Sequence, residues 1–443
     1  MTARETALKA LGAYRREKTW PEETFRKLTQ KTGISAIETA LALQIIKGVL
    51  QNVALIDYYA ACFSSIKLNK LEPLVHDILR ISIYQLVFLT KIPKSAAVDE
   101  GVTLTKAYSN PRAAGFVNAV LRKTADAVGS GNLPKIEADT EFKRLSIKYS
   151  HPEWLIRELF DVLDPENAEA FLKSNNAADI PITIQINTLL SSADETLSVL
   201  RAENLRITRH EWLEGCADIF GARRFINLGA YERGLFFVQD AASGLAVIAA
   251  DPKPDDFVID GCASPGGKSF AAAIAMQNNG RVVAFDLTDK KLSRITEGAK
   301  RLKLDIIEPL KADASLPDDR FKESADIVLA DVPCSGFGVI RKKPDIRYKT
   351  ENDVSGLPDI QKRILSNLSS YVKPGGTLLY STCTFLKREN EDVIEWFLDN
   401  HRKFCTDEFS LPGIGRAKGG KITLWPQLHG TDGFFKCKMR MAE

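Results

Sequence analysis

The sequence has little that would support a metal site, an export signal or a membrane span. Its seven cysteines form no CxxC pair and its five histidines show no metal-ligand spacing, so we expect no bound metal. Residues 1–20 carry charges throughout and lack the apolar run of a signal peptide. The most apolar stretch, residues 78–89, contains Arg80 and is too short to cross a bilayer. We therefore expect reduced thiols, a cytoplasmic location and no membrane partner.

The net charge is small, +3, but it is unevenly distributed along the chain. Residues 1–150 contain 22 lysines and arginines against 14 acids, whereas the remainder contains 38 against 43. A basic region at one end is typical of proteins that bind an anionic macromolecule. A solvated basic surface explains the charge equally well.

The pattern of apolar residues divides the chain into three parts. Up to about residue 128 these residues recur at helical spacing, and a linker follows at 129–134. Alternating isoleucines at 181–187 then predict a strand in a small α/β subdomain. From residue 236, short apolar strands alternate with amphipathic helices, which favours a mostly parallel, doubly wound sheet. The predicted domains are 1–130, 140–235 and 236–443.

The elements of the third part can be predicted individually. The strands are expected at 257–260, 281–286, 306–311, 325–331 and 376–382, followed by an antiparallel pair around ITLW and GFFKCKM. Helices are expected near 267–278, 289–303, 358–371 and 387–400.

The stretch DFVIDGCASPGGKSF, residues 256–270, is a candidate nucleotide loop. A phosphate-binding P-loop needs a glycine where Cys262 stands, and Pro265 removes one of the N–H donors of such a loop. Asp260 at the end of the preceding strand would repel a triphosphate. We therefore expect a nucleoside cofactor without phosphates.

Acidic residues follow successive predicted strands. Asp286 lies 19 residues after Gly267, close to the offset of a ribose-binding acid, and Asp313 and Asp331 follow the next two strands. Ligands of doubly wound sheets bind beyond the carboxyl ends of the strands. Acids are common in turns, so only the series is informative. It favours S-adenosyl-L-methionine, which is cationic at sulfur.

Two cysteines also follow predicted strands. Cys334 comes three residues after Asp331, and Cys383 follows the strand GTLLYST. A single cysteine is more often a small buried hydrophobe, but neighbouring strands would bring both thiols into one crevice. A thiolate that adds to carbon 6 of a pyrimidine makes carbon 5 nucleophilic. A cation such as Lys268 would favour the thiolate, and Asp331 could bind the polar edge of the base.

A basic run follows the first of these cysteines. Pro333 and Gly336 predict a tight turn around Cys334, which we call the Cys334 turn. Directly after it lie Arg341, Lys342, Lys343 and Arg347. Such residues can contact phosphate groups of a nucleic acid, or they can form a solvated loop.

Three motifs, DGCASPGGKS, DVPCSGFGVIRKKPDI and STCTFLKRENE, resemble the signatures of the RNA cytosine-5 methyltransferases, the NOL1/NOP2/Sun group. The resemblance implies that Cys383 is the nucleophile and that Cys334 assists product release, with Asp331 and Lys268 beside them. It assigns the cofactor to these residues: Cys262, Ala263, Ser264, Pro265, Gly266, Gly267, Lys268, Asp286, Asp313 and Asp331. Ser264, Ser269 and Arg388 depart from the usual pattern, but no motif cysteine, aspartate or lysine is missing.

The N-terminal region is similar to a second family. GVLQNVALID, ILRISIYQL and GFVNAVLRK resemble the all-α NusB family of RNA binders. Together the resemblances imply a NusB-like domain, a small RNA-binding α/β subdomain and a Rossmann-like methyltransferase domain with a mostly parallel seven-stranded sheet. They further imply a monomer that uses S-adenosyl-L-methionine to methylate carbon 5 of a cytosine in 16S rRNA, either free or in the assembling small ribosomal subunit.

Three other functions remain open from the residues. The same catalytic domain could modify tRNA, which a comparison of substrates would distinguish. A non-catalytic NusB-like antitermination factor would not bind the methyl donor. An ATP-dependent RNA factor is disfavoured by the loop spacing and would bind ATP.

Overall fold

The structure is a computed structural model, and it describes residues 1–17, 21–177, 180–203, 205–221 and 228–443. The chain folds into two compact units, Met1–Asn176 and Ala177–Glu443. The predicted domains 1–130, 140–235 and 236–443 stay a prediction. The second unit contains both a small sheet and a large one.

The described residues of the first unit form helices and no strands, as the periodicity predicts up to about residue 128; its last three helices lie in the stretch 140–235 that is predicted above as an α/β subdomain. No single helix among the described residues is long and apolar enough to span a membrane; the helices Ala36–Gln51 and Val53–Phe63 pass that test only as a pair bent by 82°. The helices are α1 Ala3–Glu17, α2 Pro21–Thr32, α3 Ala36–Gln51, α4 Val53–Phe63, α5 Pro73–Phe88, α6 Lys94–Tyr108, α7 Pro111–Ser130, α8 Glu141–Tyr149, α9 Glu153–Phe160 and α10 Pro165–Ser174.

An ion pair with Asp57 explains how Arg80 is accommodated on the apolar helix α5. Nε and Nη2 of Arg80 donate to the two carboxylate oxygens of Asp57 on α4, at 2.8 and 2.7 Å. His76 adds a third contact at 2.9 Å. Burial opposes ionisation of Asp57, but these partners outweigh it and lower the pKa of its carboxyl. The arginine therefore links two helices by a charge-assisted, bidentate contact.

The second unit begins with a small antiparallel sheet of order β2-β3-β1-β4. Its strands are β1 Ile182–Ile186, β2 Arg206–Arg209, β3 Cys216–Phe220 and β4 Phe236–Val238, and its helices are α11 Ala193–Ala202 and α12 Gly229–Glu232. Ile184 and Ile186 are buried, which confirms the strand predicted from the alternating isoleucines.

The large sheet has the order β10-β14-β9-β8-β5-β6-β7, with β13 paired to β14. Strands β5 to β9 are parallel, and β10, β13 and β14 are antiparallel to their neighbours. Its elements are α13 Ala241–Ala250, β5 Phe257–Asp260, α14 Gly267–Ala275, β6 Arg281–Asp286, α15 Asp289–Leu302, β7 Ile307–Lys311, β8 Ala325–Asp331, α16 Glu351–Val354, α17 Leu357–Ser369, β9 Val372–Thr382, α18 Glu391–Asn400, β10 Phe404–Thr406, β13 Lys421–Leu424, α19 Pro426–His429 and β14 Phe434–Met441, while β11 Phe409–Leu411 and β12 Gly415–Ala417 form a separate pair.

The predicted strands of this sheet are confirmed, and so is the antiparallel pair β13–β14. The sheet has eight strands where the resemblance implies seven. The additional edge strand β10 is three residues long, and its sequence FCT has no apolar run that would identify it.

Asn187, which follows β1 of the small sheet, connects that sheet to the C-terminal end of α15 within the second unit. Its side chain is fully buried, and its Nδ2 donates to the carbonyl oxygens of Gly234 and Leu302, at 3.2 and 2.8 Å. Its backbone N–H donates to the oxygen of Leu235. One amide therefore satisfies carbonyl groups that would otherwise be buried without partners.

We expect Asn187→Leu to destabilise the protein by about 1–3 kcal/mol, because it leaves these two carbonyl groups unsatisfied. The free energy of unfolding in urea measures the effect. The same substitution at Asn352, which is exposed, serves as the control and should change that free energy little. Equal stabilities of the two variants would contradict the role given to Asn187.

Candidate active site

The strand order reverses between β5 and β8, which are neighbours in the sheet although two strands separate them in the chain. Residues 261–266 follow β5, and the Cys334 turn follows β8. The loops of a parallel sheet diverge at such a point and leave a crevice at the carboxyl ends of the strands. The glycine loop and the first cysteine therefore lie where a ligand is expected.

The glycine loop passes closely over the sheet and into α14. The N–H of Ala263 donates to the oxygen of Phe285 on β6, at 2.9 Å. Gly266 has a φ of 111°, and a Cβ there would lie 2.4 Å from the ring of Phe270. Gly267 begins α14, and Lys268 follows it. The loop Cys262–Gly267 is thus built so that only glycine fits at position 266.

The predicted acids lie at the ends of their strands. Asp286 accepts the N–H groups of Ser264 and Leu287, at 3.2 and 2.7 Å, and binds Nζ of Lys291 at 2.9 Å. Asp313, after β7, accepts the N–H and hydroxyl of Ser315, and its pKa is lowered by these bonds. The glycine loop and Asp286 are therefore in direct contact.

Asp260 lies directly beneath this loop and is fully buried. Its Oδ2 accepts the hydroxyl of Ser269 at 2.7 Å, while its Oδ1 has no hydrogen-bond partner. Burial raises the pKa of its carboxyl to about 6. An unpaired buried acceptor and a series of carboxylates fit a cationic nucleoside better than a phosphate group.

Lys268 and Asp331 form the polar centre of the crevice. Nζ of Lys268 donates to Oδ2 of Asp331 at 2.7 Å and to the hydroxyl of Ser243 at 2.9 Å. The hydroxyl of Ser381 donates to Oδ1 of Asp331, also at 2.7 Å. Asp331 and Ser381 are register partners on β8 and β9, so both side chains emerge on one face of the sheet. Asp331 is thereby fixed from both sides.

The two predicted cysteines meet. Sγ of Cys334 and Sγ of Cys383 are 3.1 Å apart, and the N–H of Cys383 donates to Sγ of Cys334 at 3.3 Å. All seven cysteines of the chain are free thiols. The contact with Cys383, together with burial, raises the pKa of the Cys334 thiol well above its ordinary value. The raised pKa favours the protonated form of Cys334, whose S–H can then donate a hydrogen bond to the sulfur of Cys383.

A buried carboxylate supports the Cys334 turn. Oε2 of Glu389 accepts the N–H of Ser335 at 2.9 Å and Nε2 of Gln361 at 2.8 Å. Gln361 also donates to the oxygen of Pro333. The hydroxyls of Ser335 and Thr384 are 2.7 Å apart and join the turn to the residue after Cys383. These contacts fix both cysteine-bearing segments to one another.

A second lysine is buried beside Lys268. Lys436 on β14 is fully buried, and its Nζ has no hydrogen-bond partner. Both ammonium nitrogens lie over the ring of Phe434, Lys268 at 5.0 Å and Lys436 at 4.7 Å from its centroid. Burial and the charge of Lys268 lower the pKa of Lys436 well below its ordinary value. Lys268 is then the cation that faces Asp331.

Several of these residues were not predicted from the sequence. Ser381 could have been found, because it lies two residues before Cys383 near the end of its strand. Pairing of that strand with the strand of Asp331 places the two side chains on the same face of the sheet. Ser243, Gln361 and Lys436 carry no local signal. The basic run is not a fully solvated loop: Arg347 is fully buried and Arg341 keeps 10% of its side chain exposed, whereas Lys343 is exposed.

The fold and the site define a Rossmann-like methyltransferase with an all-α N-terminal region. Comparison with protein families matches residues 247–440 to 16S rRNA methyltransferase RsmB/F, residues 151–219 to the RsmF/B-like ferredoxin-like domain and residues 1–126 to the NusB family.

Similar proteins cover almost the entire chain. A probable ribosomal RNA small subunit methyltransferase B of Bacillus subtilis is 35% identical over 99% of this chain and 98% of its own length. The ribosomal RNA small subunit methyltransferase B of Vibrio vulnificus is 32% identical over 89% of each. The crystal structure of PH0851 superposes with a TM-score of 0.80, at 28% identity, over 99% of this chain and 98% of that one. The chain belongs to the RsmB/F family of 16S rRNA methyltransferases.

The buried carboxyl of Asp260 predicts a pH effect on stability. Its pKa is raised in the folded protein, so ionisation costs stability as the pH rises from about 4 through 6. The rise in the pKa of Asp260 from its ordinary value to about 6 corresponds to about 3 kcal/mol of lost stability. We expect Asp260→Asn, which cannot ionise, to be more stable than the unsubstituted protein at pH 7 by up to that amount.

Urea unfolding at pH 4 and at pH 7 measures this difference. It should be much smaller at pH 4, where the Asp260 carboxyl is largely protonated. Asp305→Asn, at an exposed position, is the matched control. A stability difference for Asp260→Asn that does not change with pH would contradict the raised pKa.

Proposed function

We propose that the protein methylates carbon 5 of a cytosine in 16S rRNA through a covalent adduct between the base and Cys383. The contact between the thiols of Cys334 and Cys383, beside the glycine loop, is the observation that carries the proposal. A simple methyl transfer to a nitrogen or oxygen would need no thiol. A pyrimidine carbon needs one nucleophile to activate it and one acid–base group to release it.

The donor that we propose is S-adenosyl-L-methionine. The loop Cys262–Gly267 with Lys268, together with Asp286, Asp313 and Asp331, would hold it. Support comes from the unpaired oxygen of Asp260, the contact between Ser264 and Asp286, and the absence of P-loop spacing. When bound, this cofactor supplies a methyl group on a sulfonium ion.

The side chains of the crevice take distinct roles in this scheme. Cys383 adds as a thiolate to carbon 6 of the base, and Asp331, held by Lys268 and Ser381, binds the polar edge of the ring. Carbon 5 then takes the methyl group and gives its proton to solvent water, and the electrons of that C–H bond restore the ring double bond and expel Cys383 as a thiolate. Cys334, whose pKa is raised, keeps its proton at the start of the cycle and assists the release of Cys383.

These roles predict opposite outcomes for the two cysteines. Cys383→Ala should lose methyl transfer by roughly 10³-fold or more, because no adduct can form. Cys334→Ala should accumulate a covalent protein–RNA adduct, because formation continues while release is slow. Incorporation of radiolabelled methyl groups and a denaturing gel measure the two effects, with Cys405→Ala on the distant β10 as control. Normal turnover by Cys334→Ala would refute its role in release.

The substrate is tested separately from the chemistry. We expect 5-methylcytosine at one position of 16S rRNA, and bisulfite sequencing of RNA from a deletion strain should show its loss. In vitro reactions with 16S rRNA, the assembling small subunit and tRNA compare the possible substrates. Modification of tRNA alone would overturn the assignment to 16S rRNA, and failure to bind the methyl donor would favour a non-catalytic RNA-binding factor.

We further propose that the protein acts as a monomer in the reducing cytoplasm. The free cysteines support this location, because the paired active-site thiols would oxidise readily elsewhere. Light scattering of the purified chain, with and without RNA, tests the monomer.

A further inference from the structure

The basic run after Cys334 is bound by carboxylates from two other segments. Nε of Arg341 donates to Oδ1 of Asp432 at 2.7 Å, and Nζ of Lys342 donates to Oδ2 of the same residue at 2.9 Å. Lys342 also reaches Oδ2 of Asp240 at 2.5 Å, and Arg341 lies 3.5 Å from that atom. We call these four residues the clamp.

The clamp joins three distant parts of the second unit. Asp240 is the N-cap of α13, where its Oδ1 accepts the N–H of Ala242 and also the N–H of Asp432. Arg341 and Lys342 follow the Cys334 turn, and Asp432 lies in the connection that enters β14. Two cations and two anions balance, so this buried group carries no net charge.

The electrostatics of the clamp favour the charged forms of Asp240 and Lys342, whereas burial and the charge of Asp240 raise the pKa of the Asp432 carboxyl. Burial opposes ionisation of Asp240, but the charges of Lys342 and Arg341 outweigh it and lower the pKa of the carboxyl. Burial likewise opposes the charge on Lys342, but Asp240 and Asp432 raise its pKa. Removing one partner would leave an uncompensated buried charge, which is strongly unfavourable.

The backbone beside the clamp leads directly to Cys383. The N–H of Gly433, next to Asp432, donates to the oxygen of Gly338, and the N–H of Gly338 donates to the oxygen of Cys383, both at 2.9 Å. A Cβ on Gly338 would lie 2.0 Å from the oxygen of Gly433. The two glycines therefore allow the backbones at 338 and 433 to pack closely. Arg341 and Lys342 follow the first of these segments, and Asp432 precedes the second, so the clamp joins the same two segments by ion pairs.

We propose that Lys342 and Asp432 are positioning residues that hold the Cys334 turn against Cys383 and so keep the two sulfurs in contact. Neither residue touches the thiols. They act through the segment 334–342 and through the Gly338–Gly433 contact. The geometric part of this proposal stands alone, while its catalytic consequence rests on the proposed function.

Disulfide trapping tests the geometry without any methyl transfer. Diamide oxidises two adjacent thiols to a disulfide and is itself reduced to the hydrazine. In a background with Cys62→Ala and Cys405→Ala, the linked peptides of Cys334 and Cys383 are followed by mass spectrometry. We expect Lys342→Met to slow the cross-link about tenfold or more, because a displacement near 1 Å can change such rates by about 10²-fold.

Matched variants separate positioning from general stability. Lys253→Met breaks an exposed lysine–aspartate pair and should cross-link at the original rate. Lys342→Arg keeps the charge and should restore most of the rate. Asp432→Asn keeps the shape and one hydrogen bond, so it carries the same test if Lys342→Met fails to fold. Cross-linking of folded Lys342→Met or Asp432→Asn within twofold of the original rate would overturn the proposal.

The catalytic part of the proposal is tested by measuring kcat, KM for RNA and the amount of covalent adduct separately. If the clamp serves release by Cys334, folded Asp432→Asn should lower kcat, leave KM for RNA nearly unchanged and accumulate adduct, as Cys334→Ala does. A slower cross-link with no methyl transfer in any form of the protein would support the clamp while refuting the proposed function. A slower cross-link with unchanged kcat would support the role of the clamp in keeping the two sulfurs in contact. The same result would overturn the claim that this contact serves product release.

Discussion

The parallel pairing of β8 with β9 is the constraint on which the site depends. In this register Asp331 lies opposite Ser381, and each strand ends within a few residues of its cysteine. A shift by one residue would turn Ser381 away from Asp331 and would move Cys383 out of reach of Cys334. The hydrogen bonds between these two central strands thus help to set the 3.1 Å distance between the two sulfurs.

Much of this arrangement could be predicted from the sequence, because its signals are local. The apolar strands FVID, RVVAFD and ADIVLAD are unambiguous, and residues at the carboxyl ends of neighbouring parallel strands must meet at one edge of the sheet. This reasoning predicted that the glycine loop, Asp286, Asp331 and the two cysteines would be close. Only the adjacency of β8 and β9 had to be assumed, and the structure confirms it.

What could not be predicted depends on contacts between distant segments. The sequence did not decide whether the basic run binds phosphate groups or forms a solvated loop, because the charge and spacing of its residues are the same in both cases. Its partner Asp240 lies about a hundred residues before it and Asp432 about ninety after it, and no local pattern links them. Lys436 is similar: its alternation within β14 indicates a strand, but nothing in the sequence shows that its amine is buried beside Lys268.

The contact between the sulfurs of Cys334 and Cys383 has a consequence for how the crevice carries charge. A second negative charge only 3.1 Å from the first is strongly disfavoured, so the contact opposes two thiolates at once. In the reaction proposed above, one sulfur would then attack the base while the other keeps its proton.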